Sequence, residues 1–405
     1  MKKIFSFFLY LTILAIPFYF LRFNIGSIPT TILEVLIYLT FVLSLISGQL
    51  KRLNNAPAVI FAGLFVLFSL VGVLVDPEKM RALGIWKAYF VDGYLLFLLV
   101  LSLDKKERQN ALRYLVIGGT LCAVIAIFYF FNGVKSQDGR LLDLDRISPN
   151  YMAMLLAPIF IISVARSVEA KKLERYLMPI SSIILLFGLY LTKSRGAIVA
   201  CFAALAVLFF TTFLKTKYEK AGKFLLAVVL ILGVALMAWF FKPDWSDNAR
   251  KATSSNVRYY IWSVSLQIAK QNPVLGVGIS NFQDYFSNMT KTQVNFPEFI
   301  SPQALTAHNL YLQIYISCGL LALAAFAIFI LSSRFWRLEN VAACAALVAI
   351  LFYGLVDTPF YRNDLAAVFW LILALNFYPV REDRQSPPTV FSNGVNPLKN
   401  AKSKA

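Results

Sequence analysis

The feature that most constrains this chain is a series of long apolar runs separated by short polar segments. They fall near residues 4–21, 28–48, 57–75, 84–103, 112–132 and 150–168, then near 176–193, 196–214, 224–241, 309–331, 340–356 and 365–379. A helix needs roughly 20 mostly apolar residues to cross a bilayer, where no water can satisfy its backbone polar groups. Composition agrees, with 59% hydrophobic and 15% charged residues, against roughly 45–50% and about 25% in soluble domains. A soluble enzyme, a disulfide scaffold and a disordered chain are excluded. The expected fold is an all-α integral membrane protein of about 12 transmembrane helices. Residues 1–380 form the polytopic domain, with 242–308 a long extracytoplasmic loop containing an amphipathic helix between spans nine and ten. Residues 381–405, rich in Pro, Asn and Lys, read as a disordered cytoplasmic tail. Lys2 and Lys3 ahead of the first run resemble the start of a signal peptide. No clear small-x-small cleavage site follows, so the run is read as a retained helix.

Charge sets the orientation. The chain has 39 Lys and Arg against 21 Asp and Glu, a formal net charge of +18. In a soluble protein that balance would suggest nucleic acid. Here every short loop on the side of the N-terminus is basic: Lys51 and Arg52; Lys105, Lys106 and Arg108; Lys171, Lys172 and Arg175; Lys215 to Lys223; Arg334 and Arg337. Cytoplasmic loops collect such residues, so the charge is read as topology, with both termini cytoplasmic and no nucleic-acid partner. The cysteines Cys122, Cys201, Cys318 and Cys344 all lie in apolar runs and none has C-x-x-C spacing, so they read as core residues. With a single histidine, His308, a multi-histidine metal site is impossible. No metal and no cofactor is expected.

The opposite face gathers the unusual residues. Within the long loop, Val257, Ile261, Val264 and Ile268 form one apolar stripe of a helix, preceded by possible caps at Ser254, Ser255 and Asn256. Arg258 and Trp262 share another flank of it, which suits either a site or a headgroup anchor. Gln271-Asn272-Pro273 ends this helix and Gly276-Val277-Gly278 reads as a flexible bend. Lys193-Ser194-Arg195-Gly196 joins two spans with almost no loop, which places Arg195 at the membrane boundary. His308 lies where the long loop meets the tenth span. Histidine, with an unperturbed pKa of about 6.5, is a natural general base, and arginine grips phosphate oxygens with paired donors. One base with two fixed cations suits a reaction that expels a phosphate or diphosphate. Arg140 and Arg146 could join as substrate-binding groups. Asp357 could orient the His308 ring or pair with an arginine. A Lys87–Asp92 interaction inside one span is conceivable from spacing alone, with Glu34 another charge inside a span.

At these residues the chain resembles the O-antigen ligase and O-antigen polymerase family of bacterial inner-membrane glycosyltransferases. The matching elements are Ser194-Arg195-Gly196 and the Arg258-x-x-x-Trp262 helix. That helix leads into Asn272-Pro273-x-x-Gly276-x-Gly278-x-x-x-Phe282. His308-Asn309, Gly319 and Pro149-Asn150 complete the pattern. The resemblance implies a bacterial inner-membrane protein with an extracytoplasmic catalytic centre and metal-independent, inverting transfer. Its donor would be a glycan on undecaprenyl diphosphate. Its acceptor would be lipid A–core in a ligase, or a second lipid-linked repeat in a surface-polysaccharide polymerase. Arg195 and Arg258 would bind the diphosphate, and His308 would deprotonate the acceptor hydroxyl. Competing readings are a transporter of lipid-linked sugars and a metal-dependent transferase using Asp76 and Glu78. The candidate residues gather at one face without an evident repeat, which argues against transport.

Overall fold

The computed structural model describes residues 1–26, 28–53, 56–214, 219–240, 242, 254–291, 304–333 and 340–377. Helices α1 (Lys2–Ala15), α2 (Ile32–Ile46), α3 (Ala56–Ser69), α4 (Val71–Val75), α5 (Lys79–Trp86), α6 (Asp92–Leu101), α7 (Lys105–Phe131), α8 (Pro149–Glu169) and α9 (Glu174–Thr192) make up the first half. The second half holds α10 (Arg195–Leu214), α11 (Glu219–Phe240), α12 (Ser254–Gln271), α13 (Phe282–Lys291), α14 (Leu310–Ser332), α15 (Val341–Tyr353) and α16 (Asn363–Asn376). Each expected apolar run coincides with helix. Six segments are long and apolar enough to cross a membrane: Pro57–Val75, Lys79–Leu101, Lys105–Phe131, Pro149–Val168, Glu174–Thr192 and Leu310–Ser332. Shorter apolar helices occupy most of the other runs, so this is a multi-pass membrane protein. The expected twelve spans are thus met in full length by only these six among the described residues. The expected tail, 381–405, and the loop cations Lys215, Lys217, Arg334 and Arg337 lie outside the described residues.

Two departures from the expected architecture stand out. Strands β1 (Arg22–Ile25) and β2 (Ile28–Thr31) form an antiparallel hairpin with Arg22 opposite Thr31. The long loop carries a second helix, α13, beside the amphipathic α12. The apolar stripe of α12 is buried at Ile261, Val264 and Ile268, against Phe282 and Phe286 of α13 and Ile316 of α14. This small core is separate from the main one. The stripe therefore faces protein, because α13 and α14 offer it apolar surface.

The main core is built around α16. From Asp364 to Leu375 every residue is buried, as a helix enclosed on all sides must be. Trp370 packs among Phe65, Phe97 and Phe329, with ring centroids 5.3–5.9 Å apart. Its indole N–H donates to the Tyr89 carbonyl at 2.9 Å. At 14 residues α16 rises about 21 Å, short of the roughly 30 Å hydrocarbon core. The turn 354–362 that precedes it is largely buried in protein, which is where non-helical backbone is tolerated at membrane depth.

Polar contacts collect at the two ends of the bundle. At the end that carries the N-terminus, Glu107 pairs with Lys2 and Arg52, Arg166 with Glu174, and Arg108 donates to the Leu101, Leu103 and Phe377 carbonyls. At the other end lie the β-hairpin, the 132–148 connection, the α12–α13 cap and the 354–362 turn. Next to the hairpin, the spacing-based Lys87–Asp92 pair is present at 3.5 Å and is joined by Glu34, in the first turn of α2, at 3.0 Å from the same ammonium. Tyr38 donates to Asp92 at 2.6 Å.

The α12–α13 cap is fastened to the bundle through backbone. Helix α14 is broken at Gly319 (φ 83°, ψ −179°), and the 272–278 segment enters that break. Val277 N donates to the Ile316 carbonyl at 2.8 Å and Leu320 N to the Val274 carbonyl at 3.0 Å. A Cβ on Gly319 would stand 2.2 Å from the Val274 carbonyl oxygen, and one on Gly276 2.4 Å from that of Ile316. Asp76, fully buried, accepts from Ser280 N at 2.7 Å and from its hydroxyl. One expectation is corrected here. Gly276-Val277-Gly278 is a docked segment whose glycines allow backbone to meet backbone, not a flexible bend. Asp76, which the competing metal-dependent reading would use, holds that segment.

Gly319→Ala is expected to lower thermal stability, since the added methyl meets a carbonyl and the positive φ costs on the order of 1–3 kcal/mol by itself. Thermal unfolding of the detergent-solubilised chain should show a midpoint several degrees lower, with faster proteolysis within 272–291.

Candidate functional site

Four segments meet at one buried carboxylate. Asp357 is 3% exposed and lies in the 354–362 turn between α15 and α16. Its Oδ1 stands 3.1 Å from His308 Nδ1 and accepts from Thr358 N at 3.0 Å. Its Oδ2 accepts from Arg258 Nη2 at 3.4 Å and from Asn150 Nδ2 at 3.2 Å. Burial alone would raise the pKa of Asp357. The His308 ring, Arg258 and the Thr358 N–H outweigh it and hold the carboxyl below its ordinary value.

His308 reaches this carboxylate from a strained backbone. Its φ is 46°, in the left-handed region that β-carbon sterics disfavour. Two contacts enforce it. Trp262 of α12 donates its indole N–H to the His308 carbonyl at 3.1 Å. Asn309 caps α14 through Leu312 N at 2.9 Å while donating to the Leu355 carbonyl at 2.9 Å. With a carboxylate facing Nδ1, neutral imidazole carries its proton there, which leaves Nε2 as the basic nitrogen. The ring is 31% exposed, so a substrate can reach it.

The spacing of Arg258 and Trp262 now has a physical basis. One turn apart on α12, they hold two different segments, the 356–357 backbone and His308. Arg258 is buried. Its Nε donates to the Val356 carbonyl at 2.9 Å and its Nη1 bonds the Ser254 hydroxyl. The adjoining Ser255 accepts from Arg195 Nη2 at 3.3 Å, and the two guanidinium charges repel one another. Arg195 itself is half-buried. Its junction is fixed by Lys193 in the left-handed region (φ 50°) and by the Ser194 hydroxyl 2.6 Å from that of Tyr353. A Cβ on Gly196 would stand 3.2 Å from the Tyr353 ring, so glycine lets α10 approach α15 closely. Ser254 and Ser255, expected as caps, are the first two residues of α12 and serve the arginines instead.

His308, Arg258 and Asp357 are thus in direct contact, and Arg195 joins them through the start of α12. The other expected substrate-binding groups are elsewhere. Arg140 pairs with Asp138 at 2.6 Å, and the Arg146 guanidinium lies over the Tyr129 ring at 5.5 Å. Arg140 meets its partner within the 132–148 connection and Arg146 meets the last turn of α7. The expected choice for Asp357, orienting His308 or pairing with an arginine, resolves into both at once.

A second charged cluster beside the site escaped sequence reasoning. Arg362 is buried, bonded to both oxygens of Asp364 at 2.7 and 2.6 Å and to Asp143 at 2.5 Å. Its guanidinium lies over the rings of Tyr151 and Tyr19, at 4.5 and 4.9 Å. The signal was available: Arg362 and Asp364 are charges at the head of an apolar run, and such charges require partners.

The comparisons bear on this same region. Residues 180–327 match the family model described as O-Antigen ligase. The O-antigen ligase of Salmonella typhimurium is 24% identical over 270 residues, which cover 64% of this chain and 65% of that protein. The match therefore spans just under two thirds of the relative's length.

Asp357, held below its ordinary pKa, contributes stability that is full above the usual carboxylate value, about 3.9, and is lost as pH falls through the lowered value. The thermal midpoint of the native chain should therefore drop more steeply between pH 5 and pH 3 than that of Asp357→Asn. At pH 7 the variant should be the less stable, since removing one member of a buried pair costs roughly 3–5 kcal/mol.

Proposed function

With residues 180–327 carrying an O-antigen ligase family domain, we propose that this chain is a glycosyltransferase using lipid-linked donors. It moves a glycan from undecaprenyl diphosphate to an acceptor hydroxyl, on lipid A–core in the ligase form of the reaction. The observation that carries the reading is the His308–Asp357–Arg258 contact set with Arg195 beside it.

The geometry supports the following chemistry. The acceptor hydroxyl gives its proton to His308 Nε2 as its oxygen bonds the anomeric carbon from the face opposite the leaving group. The bond from that carbon to the diphosphate oxygen breaks and its electron pair stays on the diphosphate. Asp357 stabilises the imidazolium that forms and fixes the ring orientation. Negative charge growing on the diphosphate meets Arg195 and Arg258 in a partly dehydrated site, where fixed cations act strongly and need no metal ion. Arg258 also ties α12 to the 356–357 backbone, so its loss removes a strut as well as a charge.

On this reading the site lies on the outer face of a bacterial inner membrane with both termini in the cytoplasm, an orientation that the basic loops support. The partners on this reading are the lipid-linked donor, the lipid- or glycan-borne acceptor and membrane lipids.

In proteoliposomes supplied with an undecaprenyl-diphosphate glycan and a lipid A–core acceptor, the native chain should transfer glycan in the presence of a chelator. His308→Ala should slow transfer by about 10²–10⁴-fold, and Arg195→Ala by about 10²–10³-fold. Native rates in both variants would refute the proposed centre. A native chain that elongates only a second lipid-linked repeat would identify the polymerase form.

A further inference from the structure

We propose that Asn150 is a positioning residue for His308, acting through the Asp357 carboxylate. Both oxygens of Asp357 carry two donors, and Asn150 supplies one of the two on Oδ2. The other, from Arg258, is longer at 3.4 Å. Without Asn150 the carboxylate can turn about its Cβ–Cγ bond, and turning breaks the alignment of Oδ1 with His308 Nδ1. The amide is suited to the place: it donates to the carboxylate and brings no charge of its own. A carboxylate there would repel Asp357, and an apolar side chain would leave Oδ2 one donor short.

Asn150 is itself rigidly held. It is the second residue of α8, whose cap Ser148 accepts from Asn150 N at 3.2 Å behind Pro149. Asp143 accepts from Ile147 N and Ser148 N at 2.8 and 2.9 Å, so it builds the turn that starts the helix. The other oxygen of Asp143 takes Arg362. The turn between Asp357 and Arg362 is therefore clamped to the start of α8 at both ends, once through Asn150 and once through Asp143. The positive end of the α8 dipole also lies beside the Asp357 charge, which favours the ionised form. This clamp gives the Arg362 cluster a place in the site that the transfer chemistry leaves unassigned.

The inference rests on the functional reading only for its catalytic consequence, and the histidine can be observed directly. His308 is the one histidine of the chain, so imidazole ¹⁵N NMR of the full-length protein in detergent reports on it alone. In the native chain the neutral ring should be protonated at Nδ1. Asn150→Ala should shift population toward the Nε2-protonated tautomer. Asn150→Leu, of similar size and without a donor, should shift the population the same way. Should the alanine variant fail to fold, the leucine variant decides alone. In the transfer assay Asn150→Ala should lower kcat about tenfold with the donor KM unchanged. A native tautomer in the variants overturns the proposal, whatever the transfer assay gives. NMR changes in a chain that transfers no glycan would sustain the positioning and sink the transferase reading.

Discussion

The arrangement depends on keeping one carboxylate ionised where little water reaches it. Burying an unpaired charge is prohibitively costly, so the Asp357 site exists only because four donors from α8, α12, the α14 entry and the turn itself converge on it. Each donor arrives on a different segment, and each segment is thereby fixed relative to the others. The same interaction that holds the chain together at this end sets the histidine tautomer. Stability and reactivity are here one set of hydrogen bonds, which is why Arg258 serves as both strut and charge.

Helix α12 can deliver Arg258 and Trp262 only if it is seated with precision, and its seat is backbone-to-backbone. The 272–278 segment supplies the broken α14 with partners for carbonyl and amide groups freed at Gly319. A break in a membrane helix is tolerable when such partners exist. The glycines at 276 and 319 allow contact distances no β-carbon would permit, and Asp76 locks the far end to α4. A site built on a mobile loop would lose the sub-ångström placement that proton transfer requires. Here the loop has been made into a second small core.

Much of this was legible before any coordinates. The apolar runs marked the six full-length membrane helices among the described residues, because hydrocarbon imposes a length and a composition that few other environments require. The period of Val257, Ile261, Val264 and Ile268 marked α12 and its buried face. His308, Arg195 and Arg258 stood out because charged or titratable groups at a membrane boundary are costly without a reason. Arg140 and Arg146 were singled out on the same logic, and the contacts they make are with neighbours, Asp138 and Tyr129. Gly276-Val277-Gly278 was misjudged because glycine permits both flexibility and close approach, and the sequence does not say which.

Residue order alone determined that this chain lives in a bilayer, roughly where its helices run, and which few polar groups must find partners. Those properties follow from local composition and period, which act over tens of residues. Only the tertiary structure decided which partners they find. Asp357 meets Asn150 across 207 positions and Arg258 across 99, and no local rule reaches so far. The pairing is set by how buried helices pack and where their ends emerge.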